Sequence, residues 1–372
     1  FSTDLFGITL SGVKYFSDRN VSYSITEFEQ NGIRNIINNR YSFNKIILTL
    51  SLALNTSYRR KVEFLKVNIL NDIYPTLSDF YINKPFAEAK VVNLTNKYIS
   101  IKPSSRIEEI NNERIYSPTV TASPHDTVEI SFYTIVPNGY FNNKANISYV
   151  DFYLNTTPGN TDDKFQKPVL IYGINAWDGN VSNLRYFIKK NYSFSMGYAK
   201  NILSHYKTKL DSLPYELSNF YKSKIIFNTI VKKMVYFSDP RASADYVQFP
   251  HETLKLKGGD CDDLSVLYSS LLESIGIETA LVDYKPTGNI GHVNVLINTN
   301  LSPEQAILIT KNDTKYFIRK NTKGIDKVWI PIETTSLTDF NTAWNLGTEK
   351  FNNDAINNLG LIKGTVNIVN IK

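Results

Sequence analysis

Gly258-Gly259-Asp260-Cys261-Asp262-Asp263-Leu264-Ser265-Val266-Leu267 is the stretch that decides the fold, and it holds the only cysteine among 372 residues. Apolar residues follow at helical spacing and predict one buried helical face that stops at Gly276: Leu264, Leu267, Tyr268, Leu271, Leu272 and Ile275. The thiol of Cys261 is therefore expected in the first turn of a core helix, where free backbone N–H groups and the helix dipole favour a thiolate. A lone cysteine is usually a small buried hydrophobe. Glycine and aspartate at a helix start favour a nucleophile here.

The composition of the whole chain describes a folded protein of two or three domains. Aromatic residues make up 13% of the chain, and 24 Tyr with 21 Phe favour β-rich packing. The formal net charge is +6, but lysines and acids are interspersed without a basic run, so we expect no nucleic-acid partner. A single cysteine excludes an intrachain disulfide and a zinc site built from cysteines. No apolar run reaches the ~20 residues of a transmembrane segment.

The amino-terminal half of the sequence has the pattern of an all-β protein. Residues 1–60 predict a β-rich segment, in which mixed periodicity over 25–37 also fits a short helix. Residues 61–160 alternate in short runs that Asn, Pro and Ser clusters separate at intervals of roughly 8–12 residues. This spacing predicts an immunoglobulin-like β-sandwich without the disulfide. The stretch 156–164 is the strongest linker signal in the chain.

Residues 165–372 change to a pattern of helices followed by strands, which predicts an α+β domain. Two helices, over 195–206 and 218–235, precede the helix of Cys261. The predicted strands then follow at 279–283, 292–297, 306–309, 315–318 and 328–332, with one more at 363–371. The nucleophile is therefore expected at the start of a helix that packs on an antiparallel sheet.

A thiol nucleophile needs a base, a group that orients the base, and donors for an oxyanion. His292 opens a predicted strand directly after Gly291, and Glu333 ends the apolar run that begins at Val328. On a neighbouring strand, the carboxylate of Glu333 can hold one imidazole nitrogen so that the other faces Cys261. Composition and periodicity also fit a structural histidine at 292 and a surface carboxylate at 333.

Four blocks together resemble the bacterial transglutaminase-like superfamily: Val247-Gln248-Phe249-Pro250-His251-Glu252-Thr253-Leu254, Gly259-Asp260-Cys261-Asp262-Asp263-Leu264-Ser265-Val266-Leu267, Gly291-His292 and Trp329-Ile330-Pro331-Ile332-Glu333-Thr334-Thr335. The resemblance covers residues 165–350. Members share a papain-like core with a triad of Cys, His and an acid. The resemblance implies that Cys261 is the nucleophile, His292 the general acid/base and Glu333 the orienting residue. Many members carry Asp at the third position, so Glu333 departs from the common pattern.

The residues that flank the cysteine have structural roles in this interpretation. Gly259 belongs to the turn, Asp260 caps the helix, and Asp262 and Asp263 suit its positive end. A calcium site built from these aspartates and Glu252 lacks the spacing of a calcium loop, so no metal is predicted.

The oxyanion that forms during acyl transfer needs hydrogen-bond donors beside the thiol. The backbone N–H of Cys261 is the natural first donor. Gln248 and Trp329 are the candidate side-chain donors.

Two functional hypotheses follow from these residues and from the resemblance. The first is thiol-dependent acyl transfer on a protein or peptide substrate without a cofactor, by cysteine-peptidase-type hydrolysis or by transamidation. The second is a non-catalytic binding or assembly module that uses its β-domains on a cell-wall or envelope polymer and keeps a relic core. The resemblance favours an exported or cell-envelope protein. Because the chain begins at Phe1, we expect a fragment or a processed form.

Overall fold

The computed structural model describes residues 6–15, 25–29, 32–36, 45–54, 60–137, 139–157, 160–238, 245–285 and 291–371. The chain divides into two compact units, Phe1–Arg60 and Lys61–Lys372. The strands described in the first unit are β1 (Phe6–Tyr15), β2 (Ile25–Glu29), β3 (Gly32–Ile36) and β4 (Lys45–Leu54). Strand β1 pairs antiparallel with β4, and β2 with β3. The helix considered over 25–37 is therefore wrong, since β-branched residues in both halves favour strands.

The second unit begins with two antiparallel sheets. Its first elements are β5 (Val62–Ile69), α1 (Ser78–Asn83), β6 (Ala87–Asn93), β7 (Ile99–Ile107), β8 (Ile115–Tyr116), β9 (Val120–Ala122), β10 (Thr127–Phe132), β11 (Asn146–Asn155) and β12 (Asp163–Ile171). The smaller sheet has the order β10-β6-β5, and the larger has the order β12-β11-β7-β8 with β9 paired to β7. One apolar cluster joins them, in which the Phe132 and Phe152 rings meet edge to face at 4.8 Å.

The stretch 156–164, predicted to be a linker, connects two paired strands instead. Strands β11 and β12 pair antiparallel over their length, so the larger sheet extends to Ile171. The carboxylate of Asp162 accepts hydrogen bonds from the backbone N–H of Thr156 at 2.7 Å and from its hydroxyl at 2.8 Å. Turns and linkers favour the same residue types, and only the pairing of the flanking strands distinguishes them.

The rest of the unit alternates helices and strands. Its elements are α2 (Ser193–Ser204), α3 (Lys207–Asp211), α4 (Ser218–Ile230), β13 (Val235–Tyr236), α5 (Pro250–Leu256), β14 (Gly258–Gly259), α6 (Cys261–Glu273), β15 (Thr279–Tyr284), β16 (His292–Asn298), β17 (Phe317–Lys320), β18 (Asp326–Ile332), α7 (Phe340–Lys350), α8 (Gly360–Lys363) and β19 (Val366–Asn370). A π-helical segment, Phe351–Asn357, follows α7. No helix in the described part of the chain is long and apolar enough to cross a membrane.

One predicted strand in this region is wrong. Residues 306–309 belong to a 3₁₀ helix, Pro303–Leu308, and to its C-terminal cap. The Gln305 side chain accepts a hydrogen bond from the backbone N–H of Ser302 at 2.9 Å, and Pro303 occupies the first helical position. These capping residues start a helical turn, so the apolar run at 306–309 lies in a 3₁₀ helix and its cap instead of a strand.

Helix α6 packs on one face of a five-stranded antiparallel sheet with the order β17-β18-β16-β15-β19. Val293, Val295 and Ile297 of β16 share its apolar cluster, while Leu296 packs on the opposite face of the sheet. Leu267 is fully buried in the first cluster, where truncation of such a side chain to Ala costs about 2–5 kcal/mol. This packing holds the amino-terminal end of α6 against the start of β16.

Candidate active site

The start of α6 is built from glycines that no other residue could replace without displacement. A Cβ atom at Gly258 would lie 2.1 Å from the carbonyl oxygen of Val235, and one at Gly259 would lie 2.5 Å from the side chain of Asp263. Strand β14 pairs in parallel with β13 through these two glycines. The close approach of the two backbones places Asp260 at the N-cap of α6 and Cys261 at its first position.

Asp263 joins the start of α6 to the preceding loop. Its carboxylate accepts hydrogen bonds from the backbone N–H and the side-chain amide of Gln248, both at 2.7 Å. It also accepts one from the backbone N–H of Asp260 at 3.4 Å. Asp263 therefore stabilises the turn that presents Cys261.

Ser265 joins the first turn of α6 to the sheet. Its hydroxyl lies 3.4 Å from the carbonyl oxygen of Val293 and 2.9 Å from the hydroxyl of Thr334, and all three residues are buried. Val293 directly follows His292, and Thr334 directly follows Glu333. One side chain thus fixes the helix of Cys261 against both strands that carry the other candidate residues.

The side chains of His292 and Glu333 form a hydrogen bond. The distance from His292 Nε2 to Glu333 Oε2 is 2.7 Å. The pairing of Val295 with Ile332 brings the start of β16 beside the end of β18. The structure therefore brings together two residues that lie 41 positions apart in the chain.

Glu333 is ionised although it is buried. Burial raises the pKa of its carboxyl, but the hydrogen bond and charge of His292 and the hydrogen bonds of Thr335 lower it more. The net pKa lies below the ordinary value of a glutamate. Thr335 donates to Oε1 from its hydroxyl at 2.6 Å and from its backbone N–H at 3.2 Å. The carboxylate is thus held in one orientation and can keep a positive imidazole beside it.

Asn294 belongs to the same network, and sequence reasoning missed it. Its side chain is fully buried and lies 2.9 Å from His292 Nε2. With its amide nitrogen towards Glu333, it donates to Oε2 at 2.9 Å and to Oε1 at 3.2 Å. It also neighbours the buried hydroxyl of Tyr284 on β15. An asparagine inside an apolar strand is the one sequence signal that could have identified it, since buried amides need partners.

The thiol of Cys261 differs from the expectation drawn from the helix dipole. Burial, then the charges of Asp262 and Asp260, raise its pKa to about 12, although a backbone hydrogen bond from Val293 acts in the opposite direction. Its Sγ lies 3.9 Å from Asp262 Oδ1. Among the residues described, His292 is not a hydrogen-bond partner of the thiol. The free thiol is therefore protonated at neutral pH, because desolvation outweighs the dipole.

Comparison with known proteins bears on the same part of the chain. Residues 178–302 match a family model described as a transglutaminase-like domain. This chain contains a transglutaminase-like domain. The matched residues include Cys261 and His292, and Glu333 lies beyond them. No curated protein matches the chain. A crystal structure of a candidate protease from Parabacteroides distasonis matches with 12% identity and a TM-score of 0.24, over 57% of this chain and 61% of that chain.

The two candidate side-chain donors for an oxyanion donate hydrogen bonds to other residues. The amide nitrogen of Gln248 donates to Asp263 at 2.7 Å, and the indole N–H of Trp329 donates to the carbonyl oxygen of Arg319 at 3.0 Å. Trp329 also pairs with Asn298, at the opposite end of β16 from His292. At ~3.3 Å per residue this places Trp329 roughly 20 Å from His292. The backbone N–H of Cys261 is left as the donor that the helix start supplies.

The acidic residues near the thiol bring three possible metal-ligand atoms within 4.8 Å of one another, those of Asp260, Cys261 and Asp262. Burial and a hydrogen bond with Asp260 raise the pKa of Asp262 well above its ordinary value. Glu252, the fourth residue of the calcium site that the sequence suggested, accepts hydrogen bonds from Asn175 at 2.6 Å and from the backbone N–H of Phe249 at 2.7 Å. Its carboxylate therefore stabilises the loop before α5.

Proposed function

We propose that this protein is a thiol-dependent enzyme that transfers an acyl group from an amide, by peptidase-type hydrolysis or by transamidation. Cys261 is the nucleophile, His292 the general acid/base and Glu333 the residue that orients His292. The observation that carries the proposal is the hydrogen bond of 2.7 Å between His292 and Glu333, held beside the first turn of α6 by Ser265. A histidine with one nitrogen on a buried carboxylate is the arrangement of a general base.

The raised thiol pKa decides how the first step proceeds. Because Cys261 is protonated at rest, its proton must leave as the sulfur attacks the substrate carbonyl. Nε2 of His292 is bonded to Glu333, so Nδ1 is the nitrogen that accepts this proton. The C–N bond of the amide then breaks, the leaving amine takes the proton from His292, and a thioester forms on Cys261. Catalytic hydrogen bonds are often long before substrate binds, and the thiol–imidazole contact forms in the complex.

The release of the acyl group completes the proposed reaction. Water, or a second amine in transamidation, gives a proton to His292 and attacks the thioester carbonyl, and the proton returns to the thiol. The ionised Glu333 stabilises the imidazolium that forms in both halves of the reaction. The backbone N–H of Cys261 faces the developing oxyanion from the unpaired end of α6.

The two sheets of residues 62–171 support a second part of the proposal. They are antiparallel, and a single apolar cluster fills the space between them. We infer that they form an immunoglobulin-like sandwich that presents a protein or peptide substrate, with the protein located at the cell envelope.

Acylation of Cys261 by an activated ester tests the enzyme directly. We expect a burst of p-nitrophenol from a p-nitrophenyl ester and an acyl adduct on Cys261, identified by intact-mass analysis and peptide mapping. Cys261→Ala should form no adduct, and His292→Ala should slow acylation by about 10²–10⁴-fold. His251→Ala is the matched control, because the His251 ring contacts Tyr192 and Phe249 rather than Glu333.

Two results would overturn the proposal. Acylation that persists in Cys261→Ala would place the nucleophile elsewhere. Equal acylation rates for His292→Ala and His251→Ala would show that His292 is not the base, and would favour the non-catalytic binding module.

A further inference from the structure

Along β11, the side chains on the outer face of the larger sheet change from exposed to buried. Ile147 and Tyr149 are exposed there, as expected for side chains on the outward side of a strand. Asp151 and Tyr153 continue the same outward series, yet both are buried. An outward carboxylate that is only 3% exposed must be covered by other side chains.

The cover consists of cationic side chains from neighbouring strands and from the turn before β8. They surround a cleft of about 450 Å³, which we call the basic cleft. Three cations, Arg106, Arg114 and Lys164, line it together with Asn112, the rings of Tyr116 and Tyr153, and the carboxylates of Asp151 and Glu113. The register of the sheet produces this cluster, since Asp151 pairs with Arg106 on β7 and Tyr153 pairs with Lys164 on β12.

The carboxylate of Asp151 lines the basic cleft and already has four hydrogen-bonding or charged partners. It accepts hydrogen bonds from the Tyr153 hydroxyl at 3.1 Å and from the Gln166 amide at 3.0 Å, and it pairs with Lys164 at 3.1 Å and Arg106 at 3.5 Å. Burial opposes its ionisation, but these bonds hold the pKa of its carboxyl below the ordinary value. Asp151 therefore orients the cations and leaves no acceptor for a further donor.

Arg114 keeps unused hydrogen-bond donors in the basic cleft. Nε of Arg106 has no hydrogen-bond partner among the described residues either, but it is shielded from solvent. The guanidinium of Arg114 stacks on the ring of Tyr153 at 3.5 Å, and one of its nitrogens lies 3.4 Å from the Thr161 hydroxyl. Over the described ranges, no carboxylate pairs with Arg114. A guanidinium held flat on a ring keeps its N–H groups in a fixed plane, ready for a planar oxyanion.

We propose that the basic cleft is a binding site for a small carboxylate, which Arg114 binds through its unused N–H groups. A cavity of this volume matches the size of small-molecule sites. The tyrosine rings add apolar contact area for the carbon skeleton of the ligand. Such a carboxylate belongs either to a free organic acid or to the C-terminus of a peptide.

Isothermal titration calorimetry on the full chain tests this proposal with three probes: succinate, acetyl-trialanine with a free C-terminus, and the same peptide with a C-terminal amide. Succinate represents the free acid, and the peptide acid represents the chain end. We expect saturable binding of at least one acid and none of the amide. Binding should weaken as salt concentration rises, since the cleft is partly open to solvent.

Variants locate the binding in the cleft. Arg114→Gln should weaken binding by about tenfold or more, in proportion to a lost bidentate pair. Arg185→Gln is the matched control, because Arg185 also stacks on a tyrosine ring, Tyr186, outside the basic cleft. Both variants should unfold at the same temperature as the parent.

Cys261→Ser separates this site from the candidate active site and should bind as the parent does. The proposal fails if neither acid binds, if the amide binds as well as the acid, or if Arg114→Gln binds as well as Arg185→Gln. It also fails if Cys261→Ser loses the binding, since the ligand would then occupy the candidate active site.

Discussion

Gly347 controls the position of Glu333 through backbone contact. Helix α7 lies so close to the end of β18 that a Cβ atom at Gly347 would stand 2.6 Å from the carbonyl oxygen of Pro331 and 2.8 Å from the nitrogen of Glu333. The N–H of Glu333 donates to the carbonyl oxygen of Ala343, one turn earlier in the same helix. An alanine at 347 must therefore move the helix or the strand end by about 0.8 Å to reach ordinary contact distance.

Two opposing contributions determine how Gly347→Ala changes stability. The better helix propensity of Ala stabilises by up to about 1 kcal/mol, whereas overpacking against backbone costs about 1–3 kcal/mol. Gly197→Ala in α2 is the matched control, because a Cβ atom there would have nothing within 4 Å. That variant should gain about 0.5–1 kcal/mol. We therefore expect Gly347→Ala to be less stable than Gly197→Ala by about 1–3 kcal/mol.

Urea unfolding followed by tryptophan fluorescence measures this difference. All three tryptophans, Trp177, Trp329 and Trp344, lie in the part of the chain that contains α7 and the candidate active site. The displacement of Glu333 should also slow acylation of Cys261 by about 10- to 100-fold, as expected for a positioning error approaching 1 Å. The reasoning is refuted if Gly347→Ala is as stable as Gly197→Ala and acylates at the parent rate.

Three further variants test the electrostatics of the candidate active site. The pKa of Glu333 is lowered in the folded state, so its ionised form stabilises the fold at pH values above the unfolded pKa. This stability is lost as pH falls through the folded pKa. Glu333→Gln should therefore lose less stability on acidification than the parent, and an unchanged loss would contradict the prediction. Asp262→Asn removes the largest charge contribution to the raised thiol pKa of Cys261. Alkylation of Cys261 by iodoacetamide at neutral pH should therefore accelerate about tenfold for each unit by which the thiol pKa falls. An unchanged alkylation rate would contradict this role of Asp262. Asn294→Ala leaves Glu333 without one buried hydrogen-bond donor. It should destabilise the folded protein by about 1–3 kcal/mol and slow the acylation of Cys261. Stability and an acylation rate equal to those of the parent would show that Asn294 does not support Glu333.

Local sequence signals predicted the elements that present the candidate residues. Helix α6 begins at Cys261 and strand β16 begins at His292, both as predicted. A turn of two glycines, an aspartate at the cap and an apolar period of 3.6 residues all act within one or two helical turns. Such signals are readable because the residues that cause them are neighbours in the chain.

Signals that depend on distant partners were misread. The stretch 156–164 has linker composition, yet it connects two paired strands of one sheet. Trp329 was a candidate oxyanion donor, but its indole N–H donates to the carbonyl oxygen of Arg319 across a strand pair. Strand pairing is non-local, so composition alone does not determine which of two structures a turn-rich stretch adopts.

The sequence by itself determined the start of α6, the strand that carries His292, and the blocks that resemble the transglutaminase-like superfamily. Only the tertiary structure decided that Asn294 joins Glu333 to His292, that Gly347 positions Glu333, and that the thiol pKa rises to about 12. Helix starts depend on chemistry between neighbouring residues, whereas burial, hydrogen-bond partners and pKa values depend on contacts between residues far apart in the chain. Folding alone sets these contacts, and they determine what the chemistry of Cys261 can be.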